Sequence, residues 1–170
     1  MTTIRPLRRD DIAGLQKLDR AAHGEAWSYK AFVDQIENPA VRHLVAEDAA
    51  GNVVGHAGSW REGRTLRVTN VAVAASASGR GVATGLLLEL FGDPRDCDRI
   101  ELEVRPSNRS AQRLYSRFGF APVGVVRNFY ERRDTRGSRD AVVMAVTDPH
   151  APDWRERLVS LDTTGKGAAA

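Results

Sequence analysis

Glu101, Glu103 and Tyr115 are the residues of this 170-residue chain whose types and spacing could do chemistry. They lie in one stretch, Glu101 to Phe120, that starts as an alternating strand. Ile100, Leu102 and Val104 face one way, and Glu101, Glu103 and Arg105 face the other. Pro106 breaks the strand, and Ser107 and Asn108 are capping residues placed where a helix should begin. Ala111, Leu114, Tyr115 and Phe118 then fall at i, i+3, i+4 and i+7, and Gly119 ends the helix. A carboxylate strand leading at once into a tyrosine helix could set a base and an acid on either side of one cleft. On alternation alone, Glu103 is better explained as part of a solvated strand face beside Glu101. By the same token Tyr115 is one more core aromatic on the Leu114–Phe118 stripe.

A second chemical signal is the glycine-punctuated run Ser78-Gly79-Arg80-Gly81-Val82-Ala83-Thr84-Gly85. Glycine allows close backbone approach, and the free amides at a helix start form a receptor for phosphate. The run is not a Walker loop, since no Gly-Lys-Ser/Thr follows, and its spacing is wrong for a dinucleotide fingerprint. A plain entry turn packed on a sheet explains it about as well.

The elements that must position these residues read as follows. Thr3 to Leu7 is a short strand, and Asp10 or Asp11 caps a helix with Ile12, Leu15 and Leu18 inward. Ser28 caps a second helix bearing Tyr29, Phe32, Val33 and Ile36, which Asn38-Pro39 stops. Three strand-like runs follow, Val41 to Glu47, Val53 to Trp60 and Leu66 to Ala74, the first two forming a hairpin. The glycine run opens a helix to about Phe91. After the Glu101–Phe120 segment, Pro122 to Arg127 and Asp140 to Val146 are closing strands around an exposed Arg-rich loop. This order predicts an α+β fold, a mixed and mostly antiparallel seven-stranded sheet with helices on both faces. Residues 1–147 make one domain, and 148–170 a tail with a short helix over Trp154 to Leu161 and disordered last residues.

Composition narrows the classes. The charge is +3, from 25 basic against 22 acidic residues, with lysine only at Lys17, Lys30 and Lys166. That balance suits an anionic ligand without demanding nucleic acid. Cys97, the single cysteine, excludes an intrachain disulfide and a thiolate cage, and its polar turn predicts an incidental surface residue. His23, His43, His56 and His150 are scattered without ligand spacing, so no metal is expected. With no signal core and no long apolar run, the chain is expected in the cytoplasm.

Several separated motifs, in order, give the sequence a resemblance. Val71-Ala72-Val73, the Gly81-x-Ala83 turn and Asn108…Leu114-Tyr115…Phe118-Gly119-Phe120 are similar to the GNAT superfamily of acyl-CoA-dependent N-acetyltransferases. Ala22-His23 with Trp27-Ser28, Leu102-Glu103-Val104-Arg105 with Ser107-Asn108, Arg127-Asn128 with Tyr130, and Asp140-Ala141 with Met144 resemble the ribosomal-protein-alanine N-acetyltransferases within it. The match spans about residues 3 to 147.

The resemblance implies the GNAT fold and acetyl-CoA as cosubstrate, held by the backbone of Val71, Ala72 and Val73 and by the amides of Gly79, Arg80, Gly81, Val82, Ala83 and Thr84. Asn108 would touch the cofactor from the other side. Glu103 would be the general base that takes the amine's proton, and Tyr115 the general acid for the departing thiolate. Trp27 and Tyr130 would wall the peptide groove. Two positions depart from the family pattern. Ser78 replaces the usual Gln or Arg, and Glu25-Ala26 replaces Phe-Pro before Trp27, which would favour a cationic amine. The implied acceptor is a protein N-terminal α-amine, an alanine of a small-subunit ribosomal protein, with no direct nucleic-acid or membrane partner. Alternatives are acetylation of a lysine or small-molecule amine, or a CoA-binding module without turnover, which the presence of both Glu103 and Tyr115 argues against.

Overall fold

The computed structural model describes residues 2–92, 97–132 and 137–167, with side chains to residue 162. The chain runs β1 (Thr3–Pro6), α1 (Ile12–His23), α2 (Tyr29–Glu37), β2 (Val41–Glu47), β3 (Val53–Glu62), β4 (Thr65–Val73), α3 (Val82–Phe91), β5 (Arg99–Val104), α4 (Arg109–Arg117), β6 (Ala121–Val126), β7 (Ala141–Val146) and α5 (Pro152–Gly167). The strands form one sheet in the order β1-β2-β3-β4-β5-β7-β6. Every pairing is antiparallel except β4 with β5. This is the mixed, mostly antiparallel seven-stranded sheet expected from the sequence.

Local chemistry accounts for the helix ends. Ser28 Oγ accepts from Ala31 N at 3.1 Å, and Asn108 Oδ1 from Ala111 N at 3.1 Å, each filling an orphan donor of a first turn. A short 3-10 turn, Arg9–Asp11, leads into α1. The expected cap Asp11 stands at its N-cap position but makes no side-chain bond to the helix, because its carboxylate accepts instead from Arg8 N and the Arg5 guanidinium. Gly119 ends α4 at φ +86°, a conformation that a side chain resists.

The two faces of the sheet bury different clusters. Leu44, Ala46, Ala57, Val68, Ile100, Leu102 and Val104 face α3 and α4, joined by Phe91, Tyr115 and Phe118. Val45 faces the other way, onto Ile12, Leu15 and Phe32 of α1 and α2. The helix expected over Trp154 to Leu161 is longer and belongs to the first cluster. Trp154 and Leu161 are buried in it, and Trp154 Nε1 donates to the Phe118 carbonyl at 2.8 Å. Cys97 is also a correction, because it is fully buried rather than on the surface. It stands at the entry to β5. No helix among the described residues is long and apolar enough to cross a membrane.

Candidate active site

The parallel pair β4 and β5 holds together from Thr65↔Arg99 to Val68↔Leu102, and there it parts. A bulge sits at the same level: Gly58 faces Asn70 and Ser59 faces Val68, so Thr69 is the extra residue. Beyond it β4 keeps β3 as a neighbour, through Ala57↔Val71, His56↔Ala72 and Gly55↔Val73. Its other edge, along Val71, Ala72 and Val73, has no strand beside it among the described residues. β5 meanwhile continues with β7, Glu103 opposite Val143. The result is a wedge-shaped opening of about 360 Å³ between the strands.

Trp27, Val71, Glu103, Asn108, Tyr115 and Tyr130 all line this opening, so the structure gathers the candidate base, acid and groove walls in one place. Glu103 alternates with Leu102 and Val104 and therefore lies on the sheet face away from Tyr115's cluster. Its side chain is 18% exposed and accepts from Arg67 Nη1 at 3.3 Å. Burial raises its pKa above the ordinary carboxylate value, Arg67 pulls it down, and Glu101 pushes it up. Glu101, by contrast, is tied to Arg99 and to Arg67, the latter at 3.2 Å.

Tyr115 is 8% exposed, and burial first and Tyr130 second hold its phenol protonated. Tyr130 is itself pushed up to about 12 by burial, with Arg105 opposing and Glu103 adding. The Arg105 guanidinium lies 3.9 Å above the Tyr130 ring and donates to the Arg132 carbonyl at 2.9 Å. Arg132 Nη1 then donates to the Gly24 carbonyl at 2.9 Å, fastening the segment after β6 to the loop after α1 across the mouth of the groove. Arg133 and Arg136 of that segment lie outside the described residues.

Arg80 and the residues of the glycine run do not line the opening but form a separate cradle at the head of α3. Gly79 and Gly81 have φ of +74° and +77°, and Gly81 caps the helix. The first helical bond reaches Gly85 N from Gly81 O, so the amides of Val82, Ala83 and Thr84 have no partner along the helix. The Val82 and Thr84 side chains are buried, leaving backbone and the exposed Arg80 to meet a ligand. Free amides suit a pyrophosphate, and the unaccompanied β4 edge suits an extended amide-bearing arm, so acetyl-CoA fits the residues present. Asn108 spends Oδ1 on the α4 cap, and Nδ2 is the end it can offer to the cofactor.

The model of the acetyltransferase (GNAT) family matches residues 12–120. The chain belongs to that family. As such it is an acyltransferase that takes its acetyl group from acetyl-CoA. Among relatives, it is 34% identical over 134 residues to the N-alpha-acetyltransferase RimI of Mycobacterium tuberculosis, covering 75% of this chain and 84% of the relative. It is 30% identical over 148 residues to the ribosomal protein bS18-alanine N-acetyltransferase of Escherichia coli K12, covering 86% and 97%. The crystal structure of the ribosomal-protein-S18-alanine N-acetyltransferase from Escherichia coli superimposes with a TM-score of 0.77 at 27% identity, over 90% of this chain and 97% of that one.

The opening also contains two polar residues that the sequence reading did not single out, Asp19 and Asn70. Behind them His43 and His56 stack with centroids 5.2 Å apart, both buried. The hairpin register could have signalled this, because Val45 faces His56 and His43 faces Gly58, which makes the two histidines diagonal neighbours on one face.

Proposed function

We propose that this acetyltransferase modifies the N-terminal α-amine of a protein, an alanine of a small-subunit ribosomal protein, with Glu103 as base and Tyr115 as acid. The observation that carries the reading is the meeting of Glu103 and Tyr115 in one opening where β4 and β5 part. Relatives named for alanine N-acetylation match over most of their length, which supports the choice of acceptor.

A peptide α-amine has an ordinary pKa near 8 and is largely protonated at neutral pH. Glu103 removes a proton from that ammonium, and the freed nitrogen attacks the acetyl carbonyl. A backbone N–H near Val73, on the edge β5 has left, donates to the oxygen that gains charge. As the C–N bond forms and the C–S bond breaks, Tyr115 supplies its phenolic proton to sulfur, and the second proton that nitrogen sheds in becoming an amide returns to the phenolate. The desolvation that raises the phenol acts equally on a thiolate leaving into the same opening, so burial alone does not oppose the transfer. No metal enters the scheme, since direct attack needs only positioning, a base and an acid.

Kinetics on an alanine-initiated peptide test the scheme. Glu103→Gln is expected to lower kcat by about 100-fold or more with the affinity for CoA unchanged. Unaltered turnover in that variant, or full activity in Tyr115→Phe, would remove the assigned role.

A further inference from the structure

Side chains that this chemistry leaves unused form one buried chain behind the opening. His43 Nδ1 lies 3.2 Å from Gln35 Oε1, His43 Nε2 lies 3.0 Å from His56 Nδ1, and His56 Nε2 lies 2.9 Å from Asp19 Oδ1. Asp19 Oδ1 and Oδ2 then accept from Asn70 Nδ2 at 3.2 and 3.3 Å. Asp19 is 1% exposed and His56 fully buried. Polar groups of α2, β2, β3, α1 and β4 are thus joined end to end, and the series finishes at Asn70 on the wall of the opening.

The chemistry of the last link fixes how Asn70 is turned. A carboxylate accepts and does not donate, so the Asn70 atom facing Asp19 is the amide nitrogen, and the usual ambiguity between its two ends disappears. With Nδ2 committed to Asp19, the acceptor end, Oδ1, is turned away from it. Asn70 also stands where an amine would arrive. It follows the Thr69 bulge, precedes Val71, and shares the opening with Glu103 and Tyr115. Asp19 belongs to α1, which packs on the sheet face opposite Val68 and Leu102, and Glu103 points to that same face. Asp19 takes its hydrogen bonds from His56 and Asn70, neither of them a permanent cation. A buried carboxylate so placed lends negative charge to the acceptor in front of it and favours a cationic donor there.

We infer that Asn70 Oδ1 is the hydrogen-bond acceptor that receives the incoming amine, and that Asp19 and His56 are positioning residues holding Asn70 in that orientation. The inference rests on the opening being the acceptor-amine site. The bookkeeping of protons is simple. The ammonium brings three: one passes to Glu103, freeing the lone pair that attacks the carbonyl; one is held by Asn70 Oδ1 and stays as the amide N–H; the third leaves nitrogen as the C–S bond breaks and replaces the proton that Tyr115 gives to sulfur. The Asn70 bond persists through the attack because that N–H remains on nitrogen.

Two forms of one alanine-initiated peptide separate this role from a structural one: the free amine, and the same peptide with the amine replaced by hydrogen. Each is titrated calorimetrically into the full chain loaded with CoA. The wild type is expected to favour the amine form. Asn70→Ala is expected to weaken that form by about ten-fold or more and to leave the des-amino form unchanged. Asp19→Asn, which frees the Asn70 amide to turn, is expected to give the same selective loss and keeps the test open if Asn70→Ala folds poorly. Equal weakening of both peptides overturns the inference. So does a wild type that acetylates the amine yet binds the two forms alike, with the acceptor reading left standing. Failure to acetylate any amine overturns both.

Discussion

Glu103 and Glu101 are two residues apart on one strand face, and their fates diverge through partners no local pattern reveals. Glu101 stands at the paired end of β4 and β5, held by Arg99 and Arg67, whereas Glu103 stands where β4 has turned away. Alternation therefore made both carboxylates legible and could not choose between them, because the choice depends on where a parallel pairing between distant segments stops. Arg67 supplies a direct test of the electrostatics. It opposes the burial that raises Glu103, so its loss leaves the carboxyl easier to protonate. A base must be deprotonated to act, and activity falls as pH drops through its pKa. In Arg67→Met the acid limb of the kcat–pH profile is expected to move to higher pH relative to the wild type on the same peptide. An unmoved limb, or one moved to lower pH, contradicts the role of Glu103.

The elements themselves were largely readable, because their ends are set by local chemistry. Ser28 and Asn108 cap the helices they were expected to cap, and Gly119 takes the positive φ that a stop requires. The unread part is what elements do to one another. His43 and His56 looked solitary in sequence, yet the β2–β3 register brings them together under α1 and α2, sealed by Phe32. Cys97 looked exposed because its neighbours are acidic, and α5 looked accessory because its apolar residues are few. Cys97 is nonetheless fully buried, and α5 is anchored by Trp154 and Leu161 in a core cluster drawn from distant parts of the chain.

The histidine pair gives the packing of these elements a pH signature. Burial pushes His43 down to about 3, His56 adding to the fall and Asp19 opposing it. The unfolded chain has an ordinary imidazole near 6.5, so over this window it binds more protons than the folded chain. The contribution is whole above pH 6.5 and drains away as pH falls toward 3. One group over 1.5 pH units amounts to about 2 kcal/mol between pH 6.5 and 5. Urea unfolding is expected to show that loss in the wild type and a smaller one in His43→Gln. A wild type equally stable at pH 7 and pH 5 contradicts it.

At the scale of the whole molecule, one irregularity in the sheet organises the activity. A single parallel pairing inside an otherwise antiparallel sheet can open, since the crossover through α3 leaves β4 and β5 free to diverge beyond Val68 and Leu102. The crossover also brings the free amides at the head of α3 to the β4 side, while α4 carries Tyr115 back across the gap from β5. The sequence order of a carboxylate strand followed by a tyrosine helix is legible for that reason. The width of the opening and the Asp19–Asn70 contact on its wall are not, because they arise only when α1 packs against β4.

The proposed reaction requires an α-amine as the acceptor. Tandem mass spectrometry after incubation with acetyl-CoA tests this on one alanine-initiated peptide that also contains internal lysines, alongside a copy with a blocked N-terminus. A single acetyl group is expected on the terminal nitrogen of the first peptide and none on the second. Acetyl groups confined to lysine side chains, on both peptides alike, would contradict it.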